Sequence, residues 1–278
     1  MPPLAIALAL TSAIIHASWN AVLKRGGDRV TDSFLVGVGG AVLGVAGIAM
    51  LGAPPAATWP FLLLSTVIHT LYWFTLFKGY DAGDLSHVYT LSRGSAPLLV
   101  ALGAALAAHE IPAGQELLGI AMVSAGVLSV GISPRAPLEA TFWAVSIGLC
   151  IAAYSLVDAL GARSAGNAAL YISWNQTLMS LPLAIFAVWR RGPRRLWRDS
   201  KRGPWRGLLV GAVGMIGYGL VLWAQTMAPI AQTTALRETS VVFGAIIAWL
   251  FMRERVGPRR ALGACLAAAG AATIAFGG

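Results

Sequence analysis

Apolar residues dominate this chain in ten stretches, each broken from the next by a short polar or Pro/Gly-rich segment. A membrane-crossing helix needs roughly 20 apolar residues. Cutting at the breaks predicts helices over 4–23, 32–51, 59–79, 86–108, 113–132, 139–160, 167–189, 205–227, 231–252 and 260–276. No stretch is left to fold as a soluble domain. The longest polar segment, 190–206, is too short and too charged to enclose a core. The pattern therefore predicts an all-α integral membrane protein with ten transmembrane helices.

Composition agrees with the pattern. Of 278 residues, 57% are hydrophobic and 11% charged, against roughly 25% charged in a soluble domain. The net charge of +9 would suggest nucleic acid as the partner of a soluble protein, but here the basic residues sit between apolar runs. Segments after odd-numbered runs hold Lys24, Arg25, Arg29, Lys78, Arg135, the Arg-rich segment 190–206, and Arg253, Arg255, Arg259 and Arg260, while those after even-numbered runs hold only Arg163. Basic residues favour the cytoplasmic side, so both termini are expected outside a cell (inner or plasma) membrane. The N-terminal Met1-Pro2-Pro3 carries no charged leader region, and the first run is expected to be a retained helix. Cys150 and Cys265 lie inside apolar runs and read as packing residues, not as a disulfide or metal pair.

Residues 90–131 are written twice. A shift of 144 positions superposes Thr90 on Thr234, Arg93 on Arg237, Glu110 on Glu254, Gly119 on Gly263 and Gly126 on Gly270. An internal repeat of this kind changes the reading of the whole fold. The copies fall in the fourth–fifth and ninth–tenth runs, five helices apart, so they cross the membrane in opposite directions. This predicts two inverted five-helix repeats, 1–133 and 138–278, joined by Ser133-Pro134-Arg135-Ala136-Pro137. Such an arrangement suits alternating access, because exchanging the two conformations turns a cavity from one side to the other. Small residues at helical spacing, Gly40 with Gly44 and Gly207 with Gly211, read as close helix packing.

Charged residues within the hydrocarbon are rare and face a partner or a wet cavity. Arg93 and Arg237 lie about two turns into their helices, at matching depths on opposite sides of the midplane. Each is either an anchor for a carboxylate or phosphate or half of a structural ion pair, with Glu238 or Asp158 as candidate partner. Glu238, the carboxylate inside the ninth run, is a candidate for carrying a proton or recognising a cation. Asp158 reads as a helix-end or interface residue. His16 and His69 are candidate proton carriers or hydrogen-bonded interior residues. Trp19, Asn20, Trp73, Tyr89, Asn175 and Gln176 are candidate cavity-lining side chains. They belong to polar and aromatic clusters that also include Tyr72, Trp174, Tyr218, Trp223 and Gln225. Trp59, Trp189 and Trp205, at helix ends, suit an interfacial belt. Glu110 and Glu254 are expected to hold the turn after their helices and cap the next one. No nucleophile–base constellation, His-rich metal cluster or Walker-type phosphate loop is present. No cofactor or metal is expected, and an enzyme is not indicated.

The stretches His16-Ala17-Ser18-Trp19-Asn20 with Lys24-Arg25, Tyr89-Thr90-Leu91-Ser92-Arg93-Gly94 with Ala96-Pro97-Leu98, and Arg237-Glu238-Thr239-Ser240 with Arg253-Glu254-Arg255, Gly263 and Gly270 resemble the drug/metabolite transporter superfamily, in particular its EamA-type ten-helix members. Many relatives carry Pro where Thr90 stands. The resemblance implies a basket of ten helices around a central cavity, with the fifth and tenth at the periphery, and transport of amino acids, amines, sugars or other metabolites, often by exchange or proton coupling. The reading that follows is a secondary transporter, an exporter or exchanger, of a small metabolite such as an amino acid or other carboxylate-bearing solute. The alternatives are a proton-coupled exporter of cationic drugs or amines using Glu238, and, further off, a membrane enzyme or a channel. The expected partners are the solute and the lipid bilayer, with no nucleic acid, in a monomer or homodimer.

Overall fold

A computed structural model of the chain describes residues 1–23, 29–133, 135–201, 204–252 and 257–277. Among them every regular element is helical. The helices are α1 (Pro3–Leu23), α2 (Arg29–Leu51), α3 (Trp59–Ala82), α4 (Leu85–Ala107), α5 (Gly114–Gly131), α6 (Leu138–Ala165), α7 (Ala168–Arg191), α8 (Pro193–Ser200), α9 (Pro204–Met227), α10 (Ile230–Glu238), α11 (Ser240–Met252) and α12 (Pro258–Phe276), with a 3-10 turn (Ala56–Thr58) before α3. Seven of them (α1 to α6 and α9) are long and apolar enough to cross a membrane. The remaining long runs are more polar or interrupted. α7 carries Ser173, Asn175, Gln176, Thr177 and Ser180, α12 opens on Arg259-Arg260, and the run expected as one helix over 231–252 is broken between α10 and α11.

Three departures from the sequence expectation have local causes. α6 runs five residues past its expected end, to Ala165: Gly161 stays helical, and the left-handed residue that ends the helix is Gly166, with φ +66° at the C-cap. Arg163, expected in a loop, therefore sits in the last turn of α6. The polar segment 190–206 holds a short helix, α8, which buries Leu196 and Ser200 and exposes Arg194, Arg195, Trp197 and Arg198. The α10/α11 break falls at Thr239, whose amide donates to the carbonyl of Leu236 (3.2 Å) rather than one residue further back; its hydroxyl caps the same carbonyl (2.6 Å).

The helices pack through small residues. α5 crosses α12 at two glycine pairs. A Cβ on Gly126 would fall 2.6 Å from the carbonyl oxygen of Gly263, and one on Gly270 would fall 2.6 Å from that of Gly119. The backbones touch, as expected where lipid supplies no hydrophobic force between helices and close packing must do so. α2 lies against α7 and α9, α6 against α3 and α4, and α1 against α9, α10 and α11. The interior holds an apolar layer of Ala5, Ala9, Val100, Ala104, Ala224, Ile230, Ala231, Ala235 and Leu236. Leu63, Leu102, Ile185, Trp189 and many other large apolar side chains point outwards, the inverse of a water-soluble surface. Cys150 and Cys265 are both free thiols.

Candidate functional site

Two interruptions of helical backbone prepare the interior site. Pro97 lies inside α4. It has no N–H, so the carbonyl of Arg93, four residues before it, loses its usual helical donor. The second interruption is the α10/α11 break, directly after Arg237 and Glu238. The two repeat-related arginines thus both stand where a membrane helix is weakened. Non-helical backbone at membrane depth occurs where protein or a wet cavity satisfies it. The break also suits Arg237, which lies in the last turn of α10, the helix end whose negative partial charge opposes its own.

The arginines differ in their partners. Arg93 is 7% exposed and Glu238 1%. Arg93 Nη1 donates to Glu238 Oε1 at 3.0 Å, and Nη2 donates to His16 Nε2 on α1. The ring of Tyr89 lies 5.9 Å from the Arg93 guanidinium carbon. Arg93 is therefore one half of a buried ion pair. Arg237 forms no ion pair with any described acid. Its guanidinium carbon lies 5.1 Å from the centre of the Tyr218 ring on α9, and its buried Nε has no hydrogen-bond partner. Arg93 reaches Glu238, the residue next to Arg237, so the two arginines belong to one cluster.

Asp158 anchors the neighbouring polar cluster. The side chain is fully buried on α6, at the interface with α7 and α9 rather than at a helix end, the second of the two expected placements. Its Oδ1 accepts from the hydroxyl of Tyr171 (2.8 Å) and from Asn175 Nδ2 (3.2 Å), and its Oδ2 accepts from the hydroxyl of Tyr218. Three neutral donors thus take the place of a counter-ion. Tyr218 is pinned at its hydroxyl by Asp158 while its ring faces Arg237, so the carboxylate fixes the surface on which the guanidinium rests. Asn175 also donates to Ser65 Oγ (2.8 Å), which lies 3.1 Å from His69 Nδ1 on α3. His69 stacks on Tyr154 at 4.3 Å, and Tyr72 meets Tyr154 edge-on at 5.7 Å.

The other expected site residues divide. Trp19 meets His16 edge-on at 4.9 Å. Trp73 lies beside Tyr72 and Phe77, with a buried Nε1 that has no partner. Asn20 donates to the carbonyl of His16 on its own helix (2.7 Å). Gln176 packs against Gly40 of α2, away from the cluster. Glu110 does not cap the next helix; Glu116 occupies that place by accepting from the amide of Ala113 (2.8 Å). Glu110 reaches across to Arg163 Nη1 (2.6 Å) and to the amide of Ile230 at the start of α10 (2.7 Å). Arg163 also donates to the carbonyls of Gln225 (2.8 Å) and Ala228 (3.1 Å). Glu254 lies outside the described residues. The latch leaves no trace in the apolar pattern, which places Arg163 in a loop. Asp158 is more legible, since a lone acid deep in an apolar run is a signal in itself.

Residues 138–276 match the family model described as the EamA-like transporter family. The chain belongs to the EamA-like transporter family. An EamA-like chain is a multi-pass membrane transporter of small solutes rather than an enzyme, and it falls within the drug/metabolite transporter superfamily that the motifs around Arg93 and Arg237 indicated. The fold recurs in a solved crystal structure described only as that of a protein, with a TM-score of 0.76 at 15% identity over 99% of both chains. At that identity the likeness concerns the fold alone. No curated protein matches the chain.

Proposed function

We propose that this EamA-like protein is a secondary transporter of a small carboxylate-bearing solute, such as an amino acid, that docks on Arg237 and crosses by alternating access. The observation that carries the reading is the contrast between the arginines. Arg93 is neutralised by Glu238, whereas Arg237 keeps a buried donor without a partner on a ring held in place by Asp158. A guanidinium recognises carboxylate through paired hydrogen bonds, and an unpartnered buried donor is costly until a ligand satisfies it. Glu238, engaged with Arg93, supports the ion pair more than direct capture of a cation.

The transport cycle we envisage uses two inverted halves, 1–133 and 138–278, each of five membrane-crossing segments, with α10 and α11 together as one segment and both termini outside. Three observations support it. The Gly119–Gly270 and Gly126–Gly263 contacts exchange with each other under the 144-residue repeat, as a two-fold axis between α5 and α12 requires. The α3–α6 contact has its counterpart in α9–α1, and the weakened backbone at Arg93 has its counterpart at Arg237. The basic α7–α9 connection fits the cytoplasmic side.

The test is ligand-induced thermal stabilisation of the purified protein over amino acids, dicarboxylates, phosphorylated metabolites and quaternary amines, since a ligand that binds the folded state stabilises it. Carboxylates are expected to stabilise the wild type, Arg237→Ala to abolish the shift, and Tyr218→Phe to weaken it. Stabilisation by quaternary amines alone, lost in Glu238→Gln, would replace this reading with cation transport.

A further inference from the structure

A groove of about 500 Å³ runs along the outer seam of α3 and α7, lined by Leu63, Thr66, Leu178, Leu181, Pro182, Ile185, Phe186 and Trp189. Its origin is local. Pro182 sits in the interior of α7, where its ring crowds the carbonyl of Leu178 and leaves it without a helical donor. Both residues line the groove. Thr66 supplies the one hydroxyl in the wall, and that hydroxyl already donates to the carbonyl of Leu62 at 2.8 Å. Nothing in the groove asks for a polar ligand.

Its length and its end are informative. From Leu178 to Trp189 the α7 wall covers eleven residue steps, roughly 16 Å at 1.5 Å per residue. One leaflet contributes about 15 Å of hydrocarbon. The groove therefore reaches from mid-bilayer to one face. There it ends at Trp189, which is 77% exposed, the placement expected of an interfacial tryptophan. Arg190 and Arg191 follow at once, then α8 with exposed Arg194, Arg195 and Arg198. Asp199 is the one acid in α8, and it lies 3.6 Å from Arg195 and 3.4 Å from Arg198, leaving this corner strongly positive. Trp197 and Trp205, 67% and 61% exposed, carry Lys201 and Arg206 over their rings, which places the corner at head-group level.

We infer that the α3–α7 groove and the basic corner beyond it form one binding site for an anionic phospholipid. An acyl chain fills the groove, and the phosphate meets the arginines at the α7–α8 junction. Charge complementarity selects the occupant, because a zwitterionic lipid would fill the groove equally well but carry its own cation beside its phosphate, leaving the excess positive charge of the basic corner unbalanced. Anionic lipids are enriched in the cytoplasmic leaflet, the side to which the positive residues assign this corner. The site lies outside the interior cluster and shares none of its residues.

Native mass spectrometry of the detergent-purified protein titrated with phosphatidylglycerol or phosphatidylcholine tests this. Phosphatidylglycerol is expected to be retained as a single tight adduct, favoured over phosphatidylcholine by about thirtyfold if two arginines act on its net negative charge, which the choline of phosphatidylcholine cancels. Arg190→Gln/Arg194→Gln is expected to erase that preference while weak retention of both lipids remains. Leu181→Trp, which fills the groove from an exposed position, is expected to remove retention of both. Equal retention of the two lipids by the wild type, or a preference that survives the arginine changes, overturns the proposal. So does equal competition by soluble glycerol 3-phosphate, which would reduce the site to a phosphate contact without an acyl chain. Unchanged circular dichroism and gel-filtration profiles exclude misfolding of the variants as the cause.

Discussion

At the scale of single residues, the interior divides into groups that satisfy each other and groups left unsatisfied, of which Arg237 is, among the described residues, the charged one. Arg93, Glu238 and His16 form a closed set, and a buried ion pair of this kind is expensive to break from one side. Removing one partner strands a charge at a cost of about 3–5 kcal/mol, whereas replacing both by apolar residues can be nearly neutral. Glu238→Leu is thus expected to destabilise the protein by roughly that amount, and Arg93→Met/Glu238→Leu to recover most of it. A double-mutant cycle on reversible unfolding checks this; additive losses would mean that the 3.0 Å contact contributes no coupling. Sequence inspection supplied these residue types but not their pairing. Arg93 and Glu238 are 145 positions apart, and nothing in either helix's pattern says which arginine takes the single nearby acid. Asp158 shows the converse. Its three donors come from Tyr171, Asn175 and Tyr218 on two other helices, so its role emerges only when α6, α7 and α9 meet.

At the scale of elements, hydrophobic periodicity located most helices within a few residues, because length and apolarity are nearly all that a lipid environment demands of a span. It did not reveal the interruption in the 231–252 run, since Thr239 is compatible with helix and its short-range bonds to Leu236 reflect tertiary demands on Arg237 and Glu238. It did not resolve α8 either, because eight residues carry too little pattern. The glycines were more legible. Gly126→Val would drive side-chain carbon into the backbone of α12, where even a Cβ lies 2.6 Å from an amide nitrogen and a carbonyl oxygen. A loss of about 1–3 kcal/mol or more is expected for such overpacking. Gly114→Ala, with nothing within 4 Å of the added carbon, is expected to leave the melting temperature within about a degree of wild type, in line with the small effects of surface changes.

At the scale of the whole molecule, the Glu110–Arg163 latch ties three places together: the turn after α4, the end of α6, and the start of α10. A chain that exposes its interior on this side has to release it. Arg163→Ala leaves Glu110 with only the Ile230 amide and frees the carbonyls of Gln225 and Ala228. In a Cys150→Ser/Cys265→Ser background, a cysteine replacing the buried Gln232 (2% exposed) is expected to react with a water-soluble maleimide at least several-fold faster when Arg163 is also removed. An unchanged rate would show that the latch does not hold that side shut.

The turn between α5 and α6 is a single covalent thread, yet the broadest packing surfaces (α5 with α12, α2 with α7, α6 with α3 and α4, α1 with α9) all join residues on opposite sides of it. Continuity of the polypeptide is therefore almost irrelevant to how the finished molecule holds together. Two separate genes encoding 1–133 and 138–278 are expected to yield partners that co-purify through a tag on either one, while each product made alone is degraded. A chain that can be cut in this way behaves as a fused heterodimer, and mutations in one segment are then open to rescue by compensating changes in the other, supplied in trans.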